Sequence, residues 1–287
     1  MMMRNRFFLL LIVFLSVYTG QAQTKYTVHR KNKAYIGLFG GMNFSRTPVV
    51  QNYSLLVHTP QSNGGEKEKE YEPLFRNKGS QFGLYFSYNV TKKLSIVFEP
   101  SYQNSSFNYL TSYSWADSVN SSNFAMEMLH QQEMSGVNLP VLARYDFTVS
   151  QFSPYVQAGI FANFRHHARK TIFYDYSIDE DVDKKTSDRS GETDLTQHIN
   201  KGNFGLIAGA GVTYFANYFA ISLESNFSYG FRSFVSDKNR YADHTGLSTE
   251  YLDVLDQLKF MNLNFQLSII FPIDNSITLG ILRKSRH

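Results

Sequence analysis

The chain has no cysteine, which excludes a disulfide framework, a lipid-modified N-terminal Cys and every Cys-based metal site. Tryptophan is nearly missing too, with Trp115 alone. Beyond Val17 there is no apolar run of about 18 residues, so no later segment qualifies as a transmembrane helix. No G-x-S-x-G, H-E-x-x-H, phosphate-loop or dinucleotide fingerprint is present, which removes the usual signatures of hydrolases, zinc proteases and nucleotide enzymes. Charge of one sign is lacking as well. The formal net charge of +4 falls to +2 once Arg4 and Arg6 are set aside with the leader described next, and basic residues are interleaved with acidic ones. No nucleic-acid partner is expected from that balance, and neither a cofactor nor a metal is expected.

What is present begins with an export signal. Arg4 and Arg6 form a positive n-region, residues 7–17 are apolar apart from Ser16, and Gly20, Gln21 and Ala22 supply a small-residue cleavage site. Cleavage between Ala22 and Gln23 makes residues 1–22 a signal peptide. Its apolar run of about 11 residues is too short to span a bilayer, which takes ~20 in a helix. Aromatic residues are abundant, 25 Phe and 19 Tyr, and aromatics favour strands and membrane interfaces.

The main signal is a period of two. In the segment 219–232, Phe219, Ile221, Leu223, Phe227, Tyr229 and Phe231 alternate with Ala220, Ser222, Glu224, Asn226, Ser228, Gly230 and Arg232. A β-strand sends successive side chains to opposite faces, so one face meets an apolar medium and the other a polar one. Seven further segments read the same way: 34–45, 81–90, 94–107, 135–147, 154–166, 202–215 and 258–271. In the third, the period slips near Asn104 to Phe107 and predicts a bulge. Most segments reach ten residues, the ~9–11 of a tilted membrane strand rather than the ~5–6 of an ordinary one.

The connections alternate strictly. Residues 91–93, 148–152 and 216–218 are short turns, whereas 46–80, 109–132, 167–201 and 233–257 are long and polar. Outer-membrane barrels have short periplasmic turns and long outer loops. In hydrocarbon every backbone N–H and C=O needs an internal partner, which a sheet supplies only by closing on itself. The expected fold is therefore all-β, a closed antiparallel transmembrane β-barrel of about eight strands. It occupies residues 34–271 and is followed by a basic periplasmic tail, 272–287. In that tail Ile277, Leu279 and Ile281 offer a short extra strand. A soluble lipocalin-like barrel, with the apolar set lining a cavity, is the alternative fold.

Phe219, Ile221, Leu223, Phe227 and Phe231 are expected to face lipid. Tyr88, Tyr145, Phe147, Tyr155, Tyr214, Phe215, Tyr218 and Phe219 lie beside the short turns and predict a periplasmic aromatic girdle. On the inner face, Gly37, Gly41, Gly83, Gly159, Gly205, Gly209 and Gly211 leave room for Tyr35, Phe39, Tyr85 and Arg144.

Four motifs then carry a family resemblance: V-N-L-P-V-L-A-R-Y at 137–145, P-Y-V-Q-A-G at 154–159, F-G-L-I-A-G-A-G-V at 204–212 and L-E-S-N-F-S-Y-G-F at 223–231. In this order they resemble the outer-membrane β-barrel domain of the PorT-like group, across residues 34–271. The resemblance implies a barrel in the cell outer membrane and a link to protein secretion. A barrel in that membrane is expected to meet outer-membrane lipid and, during insertion, the barrel-assembly machinery, with an envelope protein engaged through the outer loops. The tail beyond Phe271 departs from the commoner pattern, in which the chain stops near its last aromatic residue.

Ionisable residues on inward positions are the sharpest candidate site: Glu99, Arg144, Arg165, Glu224 and Arg232. Glu99 and Arg144 stand on neighbouring segments and are expected to pair, as a satisfied network or a plug that gates a narrow pore. His166 and His167 are adjacent on a strand and so point to opposite faces, which argues against a metal site. Asp179, Asp181 and Asp183 begin like a calcium loop, but Lys184 and Ser190 replace the glycine and glutamate such a loop needs. The run Glu66-Lys67-Glu68-Lys69-Glu70 reads as solvated loop charge. His130, His167, His198 and His244 lie in or near outer loops without a spacing that marks a nucleophile–base pair. The expected role is non-enzymatic, an interaction or scaffold component of the envelope. A narrow gated pore and a loop-sited hydrolase or acyltransferase are the other readings.

Overall fold

A computed structural model of the chain describes residues 33–53, 69–117, 122–178, 190–216, 218–237 and 253–273. The signal cleavage site at Ala22 and Gln23, the Asp179–Asp181–Asp183 run, His244 and the extra strand at Ile277, Leu279 and Ile281 lie outside the described residues.

The strands in chain order are β1 (Ala34–Arg46), β2 (Val49–Gln51), β3 (Glu70–Tyr71), β4 (Lys78–Asn89), β5 (Leu94–Phe98), β6 (Ser101–Asp117) and β7 (Ser122–Asp146). They continue with β8 (Phe152–Ile178), β9 (Ser190–Asp194), β10 (Gly202–Phe215), β11 (Ala220–Gly230), β12 (Gln257–Leu258) and β13 (Met261–Ile273). β1 pairs with β4 on one side and with the last strand, β13, on the other, from Ala34↔Ile273 to Arg46↔Met261. That pairing closes a ring running β1, β4, β5/β6, β7, β8, β10, β11, β13, antiparallel throughout. β5 and β6 share one of the eight positions. Both pair with β4 and β7, and they are separated at Glu99–Pro100 because Pro100 has no N–H for the ladder. Register is kept across the gap, since Leu84 N still donates to Pro100 O at 2.9 Å.

Burial follows the alternation. On β11, Ile221, Leu223 and Phe227 point outward and are exposed, while Ser222, Glu224, Asn226 and Ser228 point into the lumen and are buried. Phe219, just before β11, and Phe231, just after it, are also exposed outward. At the end with the short turns, Tyr88, Tyr145, Phe147, Tyr214, Tyr218 and Phe219 are exposed. Tyr155 and Phe215 do not join that girdle. Tyr155 lies inside the lumen at 1 % exposure, and Phe215 packs half-buried against the inner aromatic cluster.

The period does not slip at Asn104 to Phe107. Gln103, Ser105, Phe107, Tyr109 and Tyr113 all point inward along β6, so the strand keeps its face and the chemistry exchanges sides. Below this level the outer face is apolar and the inner face mixes polar side chains with an aromatic cluster that includes Tyr35, Phe39 and Tyr85; above it the inner face is mainly apolar. The bulge lies elsewhere, on β8 at His166, between Ser135↔His167 and Gly136↔Arg165. It leaves both His166 and His167 exposed rather than on opposite faces, with the His166 ring 5.6 Å from that of Tyr102. An extra residue in one strand re-aims the side chains that follow it.

Much of what reads as two long loops, 109–132 and 167–201, is therefore strand. β6, β7 and β8 run past the barrel and, with β3 and β9 at the edges, make an outer sheet in the order β3-β6-β7-β8-β9. Its inner face carries Phe107, Tyr109, Met128, Met134, Ala168 and Ile172, packed against Leu195, Ile199, Phe234, Leu255, Leu258 and Phe260. Each large apolar side chain so buried contributes about 1.5–3 kcal/mol. This second core forms a cap over one mouth of the barrel.

Two glycines make room for the inner aromatics. A Cβ on Gly83 would stand 2.8 Å from the Phe39 ring, and one on Gly211 would stand 2.5 Å from the Tyr155 ring and hydroxyl. Overpacking of this kind costs ~1–3 kcal/mol. Gly211→Val is therefore expected to displace Tyr155 and lower the temperature at which the folded band disappears from a heat-modifiability gel. An unchanged transition would show that the ring does not depend on that notch.

Candidate functional site

The lumen is filled in layers. Nearest the short turns, Arg144 Nη1 donates to Tyr85 Oη at 3.0 Å and Nη2 to Thr213 Oγ1 at 2.5 Å, with Asp146 Oδ1 at 3.5 Å. Its guanidinium lies 3.3 Å from the centroid of the Tyr155 ring. At the hydroxyl end of that ring, Tyr155 Oη donates to Glu224 Oε2 and shares a 2.8 Å bond with Ser222 Oγ. Glu224 Oε1 accepts from Asn226 Nδ2 at 2.7 Å, from Gln157 Nε2 at 3.3 Å and from Gln266 Nε2. The same Gln266 nitrogen reaches Glu99 Oε2 at 3.1 Å, while Gln81 Nε2 donates to Gln266 Oε1 at 2.8 Å.

Glu99 and Arg144 do not meet. Register sets Arg144 opposite Ser95, four residues along β5 from Glu99, or roughly 13 Å at strand rise. Glu99 belongs instead with Glu224, the two carboxyls joined by one Gln266 amide. Arg144 has its carboxylate partner on its own strand, in Asp146. Arg165 is buried at the level where the faces exchange chemistry. Arg232 is not a lumen residue: it follows the end of β11, is exposed, and has its backbone N–H bound to Asn203 Oδ1 at 3.2 Å.

The cap contains a second polar cluster. Lys170 and Asp253 are fully buried and form a direct ion pair. Tyr109 Oη donates to Asp253 Oδ2 at 2.7 Å and lies 2.5 Å from Lys170 Nζ. Lys69 Nζ stands 3.0 Å from Asp253 Oδ1 and 3.3 Å from Asp256 Oδ1. Tyr71 Oη and the backbone N–H of Tyr53 also donate to Asp256, at 2.8 and 2.7 Å. Lys69, read from the sequence as solvated loop charge, is thus a half-buried clamp between segments 187 residues apart, while Glu70 is exposed. Sequence reading missed Lys170, Asp253, Asp146 and Tyr155. The alternation of Ala168, Lys170 and Ile172 with Arg169, Thr171 and Phe173 is the signal that reveals the buried lysine.

The electrostatics of the cap follow from burial and from these partners. Burial alone would raise the Asp253 carboxyl, but Lys170 and then Lys69 hold it well below the usual carboxylate range. At Lys170 burial outweighs Asp253 and lowers the ammonium. Tyr71 and Tyr109 are raised, first by burial and then by their Asp neighbours. His130 is pushed down to about 3, chiefly by burial and then by Lys170.

Thr111 Oγ1 lies 2.8 Å from His130 Nε2, and Asp253 Oδ2 lies 4.0 Å from Nδ1. The order hydroxyl, imidazole, carboxylate is that of a nucleophilic triad. Here the carboxylate is beyond hydrogen-bond reach and is taken by two lysines, and all three side chains are buried. His198 is also buried, so of the outer histidines in the described residues only His166 and His167 are exposed. No group of three or more metal-ligating side chains occurs among the described residues.

A closed eight-stranded barrel that is apolar outside and polar within is the architecture of an integral outer-membrane protein. The chain belongs to the outer membrane protein beta-barrel domain family, whose signature matches residues 21–236, and its location is the outer membrane. No curated protein matches it. Among solved structures it is similar to the N-terminal β-barrel domain of Pseudomonas aeruginosa OprF (13 % identity, 84 % of this chain and 98 % of that one, TM-score 0.30). It is similar as well to Neisserial surface protein A (13 %, 82 % and 96 %, TM-score 0.31). A third is OprG from Pseudomonas aeruginosa (12 %, 84 % and 97 %, TM-score 0.33). At these scores the likenesses carry no argument about role.

The cap has a pH dependence of definite sign. His130 in the folded cap titrates near 3, below the ~6.5 of an unfolded chain. Its contribution is therefore complete above pH ~6.5 and is lost as pH falls toward 3, by about 1.4 kcal/mol per unit. Asp253, held well below the usual carboxylate range, adds its own loss only as pH approaches the ~3.9 of an unfolded carboxyl. Hydrogen exchange at Tyr109–Thr111 and Leu129–Gln131, corrected for intrinsic rate, is expected to accelerate from pH 7 to 4. His130→Gln is expected to flatten the profile; identical profiles for the two proteins would refute the assignment.

Proposed function

We propose that this protein is a closed, non-catalytic outer-membrane barrel that displays its cap to a partner at the cell surface. The carrying observation is that the lumen is filled from the turn end to the cap. The Arg144–Tyr155–Glu224 layer spans it, and the cap core covers the far mouth. The two cavities described in the lumen, one beside Arg144 and one beside Arg165, are each about 20 Å³, room for about one water. A conducting pore needs a continuous aqueous path, which such filling does not provide. Phe219, Ile221, Leu223, Phe227 and Phe231 then meet lipid, and the capped end faces outward because outer-membrane barrels turn their long connections that way. The buried His130 and its neighbours support a structural rather than a catalytic part. A link to secretion rests on the PorT-like motifs.

Planar-bilayer recordings of the full chain are expected to show no regular conductance steps, for the native protein and for Arg144→Ala alike; steps from the native protein would overturn the closed-barrel reading. Because there is no native cysteine, Phe173→Cys on the exposed face of the cap gives a clean surface probe. A membrane-impermeant maleimide is expected to label it in intact cells, and labelling only after rupture of the outer membrane would reverse the orientation.

A further inference from the structure

Arg165 is a buried cation with no anionic neighbour among the described residues. It stands on β8 one residue before the bulge and is 6 % exposed. Its Nη1 is buried without a protein partner. Among the described residues no carboxylate forms an ion pair with it, and the only close companions of its guanidinium are two rings of the cap, Phe260 at 5.1 Å and Phe234 at 5.5 Å. Ring faces attract a cation, but they do not supply the full counter-charge that a guanidinium, charged at any ordinary pH, requires in a medium of low dielectric.

The space in front of Arg165 has the composition of an anion chamber. It is a cavity of about 20 Å³ lined by Gln103, Asn138, Asn163, Asn203 and Asn262 among others, and no Asp or Glu contributes to its wall. The amide oxygen of Asn163 has no protein partner either, so that amide is free to turn its NH2 toward the same space. One cation, several amide donors and no carboxylate make a site of one sign. Phe260 lines it from the cap side, and residues of the barrel wall make up the rest of its lining.

We propose that this chamber binds one small monovalent anion of halide size, held by Arg165 Nη1 and the amide groups of its wall. The site is built jointly by the barrel and the cap, because Arg165 belongs to β8 while Phe234 and Phe260 follow β11 and precede β13. Anion binding therefore favours the docked cap. The proposal does not depend on whether the barrel conducts or on what the cap meets.

The test uses the full chain folded in detergent, heated in sodium chloride or in sodium gluconate at equal ionic strength. Chloride at about ten times its dissociation constant is expected to raise the midpoint by about 3 °C over gluconate. The increase should saturate, and Arg165→Met should abolish it. Equal midpoints in the two salts, or a difference that survives in Arg165→Met, would overturn the proposal. Should that variant not fold, crystals of the native protein soaked in sodium bromide decide the matter. An anomalous peak in contact with Arg165 Nη1 supports the site, and water alone at that position removes it.

Discussion

Everything in this protein depends on the pairing of its first described strand with its last. In hydrocarbon an unpaired backbone N–H or C=O costs several kcal/mol, and an open sheet would leave two edges of them. β1 and β13 remove both edges along thirteen register positions, from Ala34↔Ile273 to Arg46↔Met261. With the ring closed, each strand has one face to the outside and one to the lumen. The period of two then becomes a division between two solvents.

Because the division is geometric, its sign can change along a strand without any break in the backbone. β6 shows this at residues 103–107, where the inner face passes from Gln103 and Ser105 to Phe107 and Tyr109. Below that level the barrel resembles an inverted protein, with amides and carboxyls inside. Above it the same strands make an ordinary core and a five-stranded outer sheet. Each region solves its buried charges differently. In the lumen Glu224 is held by neutral donors from Tyr155, Gln157, Asn226 and Gln266. In the cap Asp253 is held by two ammonium groups. Side chains on a closed wall point at one another from all sides, so a carboxylate there finds several short amides more readily than one long cation. The cap gathers its ions from Lys170 on β8 and from Lys69, Asp253 and Asp256 on the connecting segments.

Strand positions, their faces and the closed barrel were legible in the chain because alternation is a local property. Segment 202–215 coincides with β10, and the outward set on β11 is the one that reads as apolar. What failed was local chemistry read without register. Glu99 and Arg144 are inward on neighbouring strands, but four residues of offset separate them. Tyr155 sits beside a short turn, as girdle residues do, yet its parity is that of Gln157 and it points inward. Arg232 shares the parity of Glu224 but falls after the strand has ended. The segments 109–132 and 167–201 look like polar loops because their polar residues face outward into water, which is how a soluble sheet reads from its exposed side. His166 and His167 share a face only because β8 carries one residue more than β7 at that point.

Strand alternation and hydrophobic partition act residue by residue, so an all-β chain with one apolar and one polar face is already written in the order of its amino acids. Tertiary structure alone decided which charges meet and what closes the mouth. Those outcomes depend on register and on contacts between distant segments, such as Lys69 with Asp256, 187 residues away. Register is set jointly by all eight strands of the ring, and no single stretch of sequence contains it.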